Sequence, residues 1–252
     1  MDDLFWATST QMAGLAPFVP KSRGRRRVDD RRVLGGIVFV NRNGLRWRDA
    51  PGAYGSPKTL CNRWVRWSRM AVFARMLLAL AEAEQDVGTG MIDAIHLKTH
   101  RTAVSLRGQK GGAGRLIGRT KGGLNSKLHA VVDAKGRPLC LFLTAGQTSD
   151  YIGARALLSS IPPATALLAD RGDDADWFRQ VLTERGITPC IPSRTSRKIV
   201  IPHDKALYRQ RHRIENMFGR LKDWRRIATR YDRCADLFLS ACAFAAVILF
   251  WL

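Results

Sequence analysis

Three carboxylates stand where an unpaired negative charge is awkward. Asp93 lies inside the apolar run Met91-Ile-Asp-Ala-Ile95, Asp170 ends the run Ala166-Leu-Leu-Ala-Asp170, and Glu215 falls in a stretch with helical spacing. Burying a carboxylate among apolar side chains is unfavourable unless something pairs with it, and a divalent cation would relieve the penalty. Two Mg²⁺ or Mn²⁺ ions roughly 3.5–4 Å apart need hard oxygen ligands. Carboxylates from two strands and one helix can provide them. One ion would lower the pKa of an attacking water or hydroxyl, and the other would stabilise the leaving oxygen. Each acid also has an ordinary explanation: a strand-end hydrogen bond for Asp93, a turn or helix cap for Asp170, and an i,i+4 ion pair for Glu215. Only their combination points to metal-assisted chemistry.

The neighbours of Glu215 narrow the choice. At about 100° per residue, Tyr208, Arg211, Glu215 and Lys222 fall on one helical stripe about 60° wide. Leu207, Ile214, Phe218 and Leu221 form an apolar stripe beside it, so the polar stripe lies at the rim of a core.

These residues must be positioned by two kinds of element. Residues 28–40 have helical apolar spacing, and Ser56-Pro57 reads as N-cap and first residue of another helix. On that helix Leu60, Trp64, Trp67 and Ala71 share one face, whereas Lys58, Asn62, Arg66 and Arg69 share another, the arrangement of a helix-turn-helix recognition helix. A solvated basic face has the same appearance. An apolar helix over 70–84 follows, and Gly88-Thr-Gly90 marks a boundary. Beyond it, 91–97, 127–132, 139–145, 166–169 and 187–191 read as strands, with helices near 151–160, 174–185, from Lys205 and from Ala235. This order predicts an α/β fold: a mixed sheet with an antiparallel start and later βαβ crossovers, flanked by helices. The expected organisation is a helical DNA-binding unit with a basic arm over residues 1–88 and a catalytic unit over 89–252. Residues 96–129, rich in glycine and Lys/Arg and free of acids, read as a mobile loop.

The 42 Lys+Arg against 21 Asp+Glu give a formal charge of +21, which favours a polyanionic partner, nucleic acid or a membrane surface. Residues 1–75 carry 15 basic and 5 acidic residues, and Arg25, Arg26 and Arg27 within Lys21–Arg27 form a candidate phosphate-tracking arm. The five cysteines form no Cys-x-x-Cys pair and read as reduced, near-core residues of a cytoplasmic protein. No leader is apparent at the N-terminus, so export is not expected. The apolar run 237–252 is shorter than the roughly 20 residues of a membrane span and reads as a terminal helix on the core.

The chain resembles the transposases of bacterial insertion sequences in the IS-five-like group of the DDE superfamily, over nearly its whole length. The resemblance rests on Arg27-Val-Asp-Asp-Arg-Arg32, Trp47-Arg-Asp49, Ile92-Asp93, Lys121-Gly-Gly-Leu-Asn-Ser-Lys127-Leu-His129, Leu168-Ala-Asp170-Arg-Gly172 and the run Glu215–Asp232. The spacing Tyr208-x2-Arg211-x3-Glu215-x6-Lys222 matches the family signature position for position. It implies an RNase H-like fold whose first and fourth strands lie side by side, bringing Asp93 and Asp170 together with Glu215 as ligands of two Mg²⁺ or Mn²⁺ ions. It also implies binding of terminal inverted repeats, exposure of 3′-hydroxyl ends and their attack on target DNA. The protein would be a homodimer or higher oligomer on double-stranded DNA, nucleoid-associated and away from membranes. Arg211 and Lys222 would contact phosphates and Tyr208 would position DNA, while Lys121 and Lys127 would join Lys58, Asn62, Arg66 and Arg69 as DNA contacts. Asp173 stands where the family usually has an aromatic residue. It could perturb the site, and capping of the next helix is the expected role. Alternatives are a non-catalytic DNA-binding repressor, such as a captured transposase, and a metal-dependent nuclease without strand transfer.

Overall fold

The computed structural model describes residues 4–21, 28–83, 88–104 and 115–252. The arm Arg25–Arg27 and the centre of the glycine-rich run lie outside the described residues. Four helices come first: α1 (Ser9–Leu15), α2 (Asp30–Asn43), α3 (Pro57–Arg69) and α4 (Val72–Glu82). Helix α1 had no apolar periodicity to announce it; Thr8 and Gln11 close a capping box at its start. Helix α2 ends at Gly44, whose φ of 72° is the left-handed conformation that glycine adopts without steric cost. Helix α3 begins as expected, with Ser56 as N-cap residue and Pro57 at the first position, although the Ser56 hydroxyl makes no cap bond.

The sheet follows. Among the described residues its strands are β1 (Thr89–Thr99), β2 (Gly118–Thr120), β3 (Gly123–Val132), β4 (Pro138–Ala145), β5 (Ala166–Leu168), β6 (Thr188–Cys190) and the short β7 (Thr229–Arg230). Strand β3 pairs antiparallel with β1 on one side and with β2 and β4 on the other. Strand β1 also pairs in parallel with β5, and β5 with β6. The expected meander and later parallel strands are therefore present, with the first strand beside the strand at Ala166. Residues 96–129 are not one loop: β1 runs on to Thr99, and a β2–β3 hairpin begins at Gly118. Strand β3 was expected only from Lys127: the residues before it, Asn125 and Ser126, are polar although buried, which hides the start of the strand from a reading by hydropathy.

Helices α5 (Asp150–Leu157) and α6 (Asp176–Glu184) cover one face of the sheet, where Ile92, Val131, Leu167, Phe178 and Leu182 form a core. The opposite core joins the sheet to α8 (His212–Lys222), α10 (Ala235–Ala246) and the helices of the N-terminal part. The segment from Lys205 is interrupted: α7 (Lys205–Tyr208) passes through a 3-10 turn at Arg209–Arg211 into α8, and a short α9 (Arg225–Ala228) leads to β7. The apolar C-terminal run forms α10 and a π-helical turn over Val247–Trp251. No helix among the described residues is long and apolar enough to cross a membrane. The five cysteines are all unpaired, and Cys234 is exposed, in contrast to the near-core placement expected for it.

The N-terminal helices do not keep a core to themselves. Phe73 on α4 meets Trp64 of α3 at 5.0 Å and Phe244 of α10 at 4.7 Å between ring centroids. Aromatic contacts of this kind add to the large area they bury. Truncation of Phe73 to Ala is expected to lower stability by about 3–5 kcal/mol. Because the core is shared, tryptophan fluorescence and far-UV circular dichroism should report one coincident urea transition for the variant and the parent. Two separated transitions would show that residues 9–82 unfold independently.

Candidate active site

The parallel register brings the first two acids together. Met91 is opposite Leu168 across β1 and β5. Asp93, midway along β1, and Asp170, just past the end of β5, each lie two residues beyond that pair, so both stand at the same level, at the carboxyl end of the β1–β5 pairing. Open α/β sheets form their sites at such ends. Glu215 comes from the first turn of α8, which packs on β1.

Arg211 links the strand acid to the helix acid. Its guanidinium is 2.5 Å from Asp93 Oδ2 and 2.7 Å from Glu215 Oε1. The Nε of Arg211 is buried without a hydrogen-bond partner. Burial opposes its charge, but Asp93, Tyr208, Asp170 and Glu215 outweigh that effect and raise its pKa. Asp93 also accepts the Ala94 amide at 2.8 Å. Burial nevertheless dominates at Asp93 and pushes its pKa up to about 6, with Asp170 and Glu215 adding repulsion against the help of Arg211. Asp170 accepts the amides of Gly172 at 2.6 Å and Asp173 at 3.2 Å, capping the turn Arg171–Asp173. Its turn role and its place in the site coexist.

Two further acids enter the same cleft, which is lined by Asp93, Asp150, Asp170, Asp173 and His129 together with Ile92, Ala94 and Ala154. Asp173 does not cap the next helix as expected: the N-cap residue of α6 is Ala175, with no side-chain bond. Instead Asp173 is 7% exposed. Burial first, then Asp170, Asp150 and Asp93, pushes it up to about 7. Asp150 accepts from the Lys127 ammonium at 2.9 Å. His129, its pKa lowered to about 4 chiefly by burial, shares a hydrogen bond with Thr144. A Cβ at Gly153 would lie 2.0 Å from His129 Nδ1, so α5 seats against β3 only with glycine there. Asp150 and His129 were not given a place in the site from the sequence, whereas Asp173 was noted there as a residue that could perturb it. The Asp170-x-x-Asp173 spacing was the available signal, since one turn returns the chain to the same cleft.

The remaining expected residues divide by location. Tyr208 is half-buried, edge-on to His203 at 5.4 Å. Lys222 ends α8, seven residues or about 10 Å along the axis from Glu215. Lys58, Asn62, Arg66 and Arg69 are exposed on α3, and Lys121 is exposed in the β2–β3 turn. Lys127 is 7% exposed and bonds Thr148 O at 2.7 Å as well as Asp150, so its ammonium serves the interior rather than a phosphate. Lysine looks solvent-facing in sequence, and only the α5 partner reveals its place.

A family model described as "Transposase DDE domain" matches residues 88–250, and one described as "Putative transposase of IS4/5 family" matches residues 7–77. The chain belongs to the DDE-domain transposases. It is 38% identical over 125 residues to the "Putative transposase for insertion sequence element IS6501" of Brucella ovis, covering 48% of this chain and 96% of that one. It is 33% identical over 123 residues to the "Putative transposase for insertion sequence element IS402" of Burkholderia cepacia, covering 44% of this chain and 56% of that one. Among solved structures, the piggyBac transposase synaptic complex with hairpin DNA superposes with a TM-score of 0.53 at 9% identity, over 94% of this chain and 69% of that chain. That likeness concerns the fold alone.

The donor chemistry of the transposase cleft suits a hard divalent cation, since its carboxylates supply oxygen ligands. Their placement is not closed around one: among the described residues no group of three or more His, Cys, Asp or Glu side chains is arranged to hold a metal ion. Arg211 meanwhile bridges Asp93 and Glu215.

A raised carboxyl pKa means that the folded chain binds more protons than the unfolded chain between about pH 4 and the raised value, so stability falls as pH rises through that window. For Asp173 the window closes at about 7. In chelator, Asp173→Asn should therefore be more stable than the parent at about pH 8, on the order of 2 kcal/mol. It should also lose less stability than the parent between about pH 5 and pH 8 in urea titrations. Parallel pH profiles would show that Asp173 ionises freely.

Proposed function

We propose that this transposase binds the ends of an insertion sequence as double-stranded DNA, cleaves there with a divalent metal and joins the exposed 3′-hydroxyl to target DNA. The observation that supports this reading is the level placement of Asp93 and Asp170 just beyond the β1–β5 pairing, with Arg211 ion-paired to Asp93 and to Glu215 of the following helix.

Asp93 and Asp170 would hold the cation, Mg²⁺ or Mn²⁺, with Glu215 as the third carboxylate and two ions in the full site. When bound, it would supply Lewis acidity to the phosphate and lower the pKa of the attacking water or hydroxyl. Arg211, fixed between Asp93 and Glu215, presents a guanidinium suited to the charge that grows on a phosphate oxygen. Lys222 carries a second cation at the far end of α8, and Tyr208 places a half-buried ring on the Arg211 side of the site. The exposed face of α3 would meet the terminal repeat, with Arg66 central, while Leu60, Trp64 and Trp67 keep that helix in the core. Synapsis of two ends requires at least a dimer, and the expected setting is the bacterial nucleoid.

Binding without cleavage is a second reading. It is favoured by one observation, the open arrangement of acids in which Arg211 spans two of the three carboxylates. The two readings separate on a labelled duplex taken from the DNA bordering the coding sequence, incubated with Mg²⁺ or Mn²⁺. The parent should nick at the repeat end and Asp170→Ala should bind without nicking. Equal products from both proteins would remove Asp170 from the site, and binding without nicking by both would establish the second reading. On the same duplex, Arg66→Ala should weaken binding and lower the salt slope of log Kd by about 1, the loss of one phosphate contact. Unchanged affinity across the salt series would take Arg66 off the DNA.

A further inference from the structure

The connection from β6 to α7 carries an unusual tip. Its neck is closed by Ser193, whose hydroxyl accepts the Ile201 amide at 2.9 Å and donates to the Ile201 carbonyl at 3.2 Å. Its base is fixed to the turn that follows Asp170. The buried Asp174 carboxylate accepts the Arg194 amide at 2.7 Å, two Arg197 nitrogens at 2.8 and 2.9 Å, and Arg179 Nε at 2.8 Å. Burial alone would raise the pKa of Asp174, but these bonds hold it well below the usual carboxylate range. The Arg194 side chain donates to the carbonyls of Arg171 and Gly172, immediately beyond Asp170. At the other end, Asp204 caps α7 and leads the chain into Tyr208 and Arg211. The loop is thus bonded at its base to the turn that follows Asp170 and leads at its other end into the segment that carries Tyr208 and Arg211. Beside exposed Lys198, its tip holds Ile199 at 80% and Val200 at 73% exposure, the two most exposed large apolar residues described.

A single exposed apolar residue is ordinary. Here two adjacent β-branched residues, stiff at χ1, are held outward by a loop with a closed neck and an ion-paired base. Flexible collapse is not open to them. We propose that this tip is a DNA wedge: Ile199 and Val200 enter the duplex beside the bond to be cut, and Lys198 takes a flanking phosphate. The proposal rests on the transposase reading and adds to it a site that opens the substrate. Duplex DNA is the fitting occupant because the tip is cationic as well as apolar, and the base of its loop is bonded to the turn that borders the acidic cleft, in a chain with a formal charge of +21. Apolar side chains inserted at a base step unstack it and kink the helix. An unstacked step would let the backbone reach Asp93 and Asp170, both partly buried where the β1–β5 pairing ends.

The test uses the full chain and the bordering duplex described above, with 2-aminopurine placed in turn at the steps flanking the nick. Binding of the parent, read without metal, should raise the fluorescence at one step beside the nick. The double variant I199S/V200S should bind without that rise. With Mg²⁺ its nicking of the paired duplex should fall about ten-fold, and a mismatch at the same step should restore it to within about two-fold. Both substitutions lie on the surface, and an unchanged circular dichroism melt would confirm the fold. Equal fluorescence and equal nicking by parent and variant would overturn the wedge. So would an unchanged fluorescence rise with a lower mass in light scattering, which would assign the tip to contact between copies of the chain. If the parent nicks neither duplex, the catalytic reading fails, whereas the fluorescence still decides the wedge.

Discussion

The register of β1 against β5 is the constraint on which the site depends. Pairing Met91 with Leu168 puts Asp93 and Asp170 at one height, just beyond the last β1–β5 pair. Side chains alternate with period two along a strand, so a slip by one residue would turn either acid to the other face. The register is held by apolar residues on both faces, Met91 and Leu168 in one core and Ile92 and Leu167 in the other. The placement of these two acids therefore follows from packing that itself has no chemistry.

Charge in the cleft is deliberately uneven. Asp93, Asp150, Asp170 and Asp173 converge on it, while the cations that answer them, Arg211 and Lys127, are each held by particular carboxylates. The result is a site that favours added positive charge, expressed in the raised pKa values of Asp93 and Asp173. A few residues away, Asp174 is equally buried but surrounded by guanidinium groups, and its pKa moves the opposite way. Adjacent aspartates thus divide the work: one faces the cleft and the other fastens the loop that borders it.

The N-terminal helices belong to the same mechanical body as the sheet. Trp64, Phe73 and Phe244 join α3, α4 and α10, and Arg226 of α9 reaches the Leu45 carbonyl after α2. A basic helix face fixed in this way keeps a set distance from the acidic cleft.

Much of this was legible in the amino-acid sequence. Apolar runs marked β1, β4 and β5, helical spacing marked α2 and α3, and the Tyr208, Arg211, Glu215 and Lys222 pattern named the polar stripe, because these signals are local periodicities. The sequence alone also singled out Asp93 and Asp170, since a carboxylate in an apolar run is conspicuous at any fold. Which carboxylates meet was decided by tertiary structure. Asp150 and Asp173 lie in turn-like segments, and only strand pairing and the seat of α5 on β3 carry them into the cleft. Lys127 reads as a surface cation until Asp150 is placed beside it. Residues 118–126 hid the start of a hairpin because buried positions there, Asn125 and Ser126, are polar. In each case the deciding contact joins residues distant along the chain, and local spacing carries no record of it.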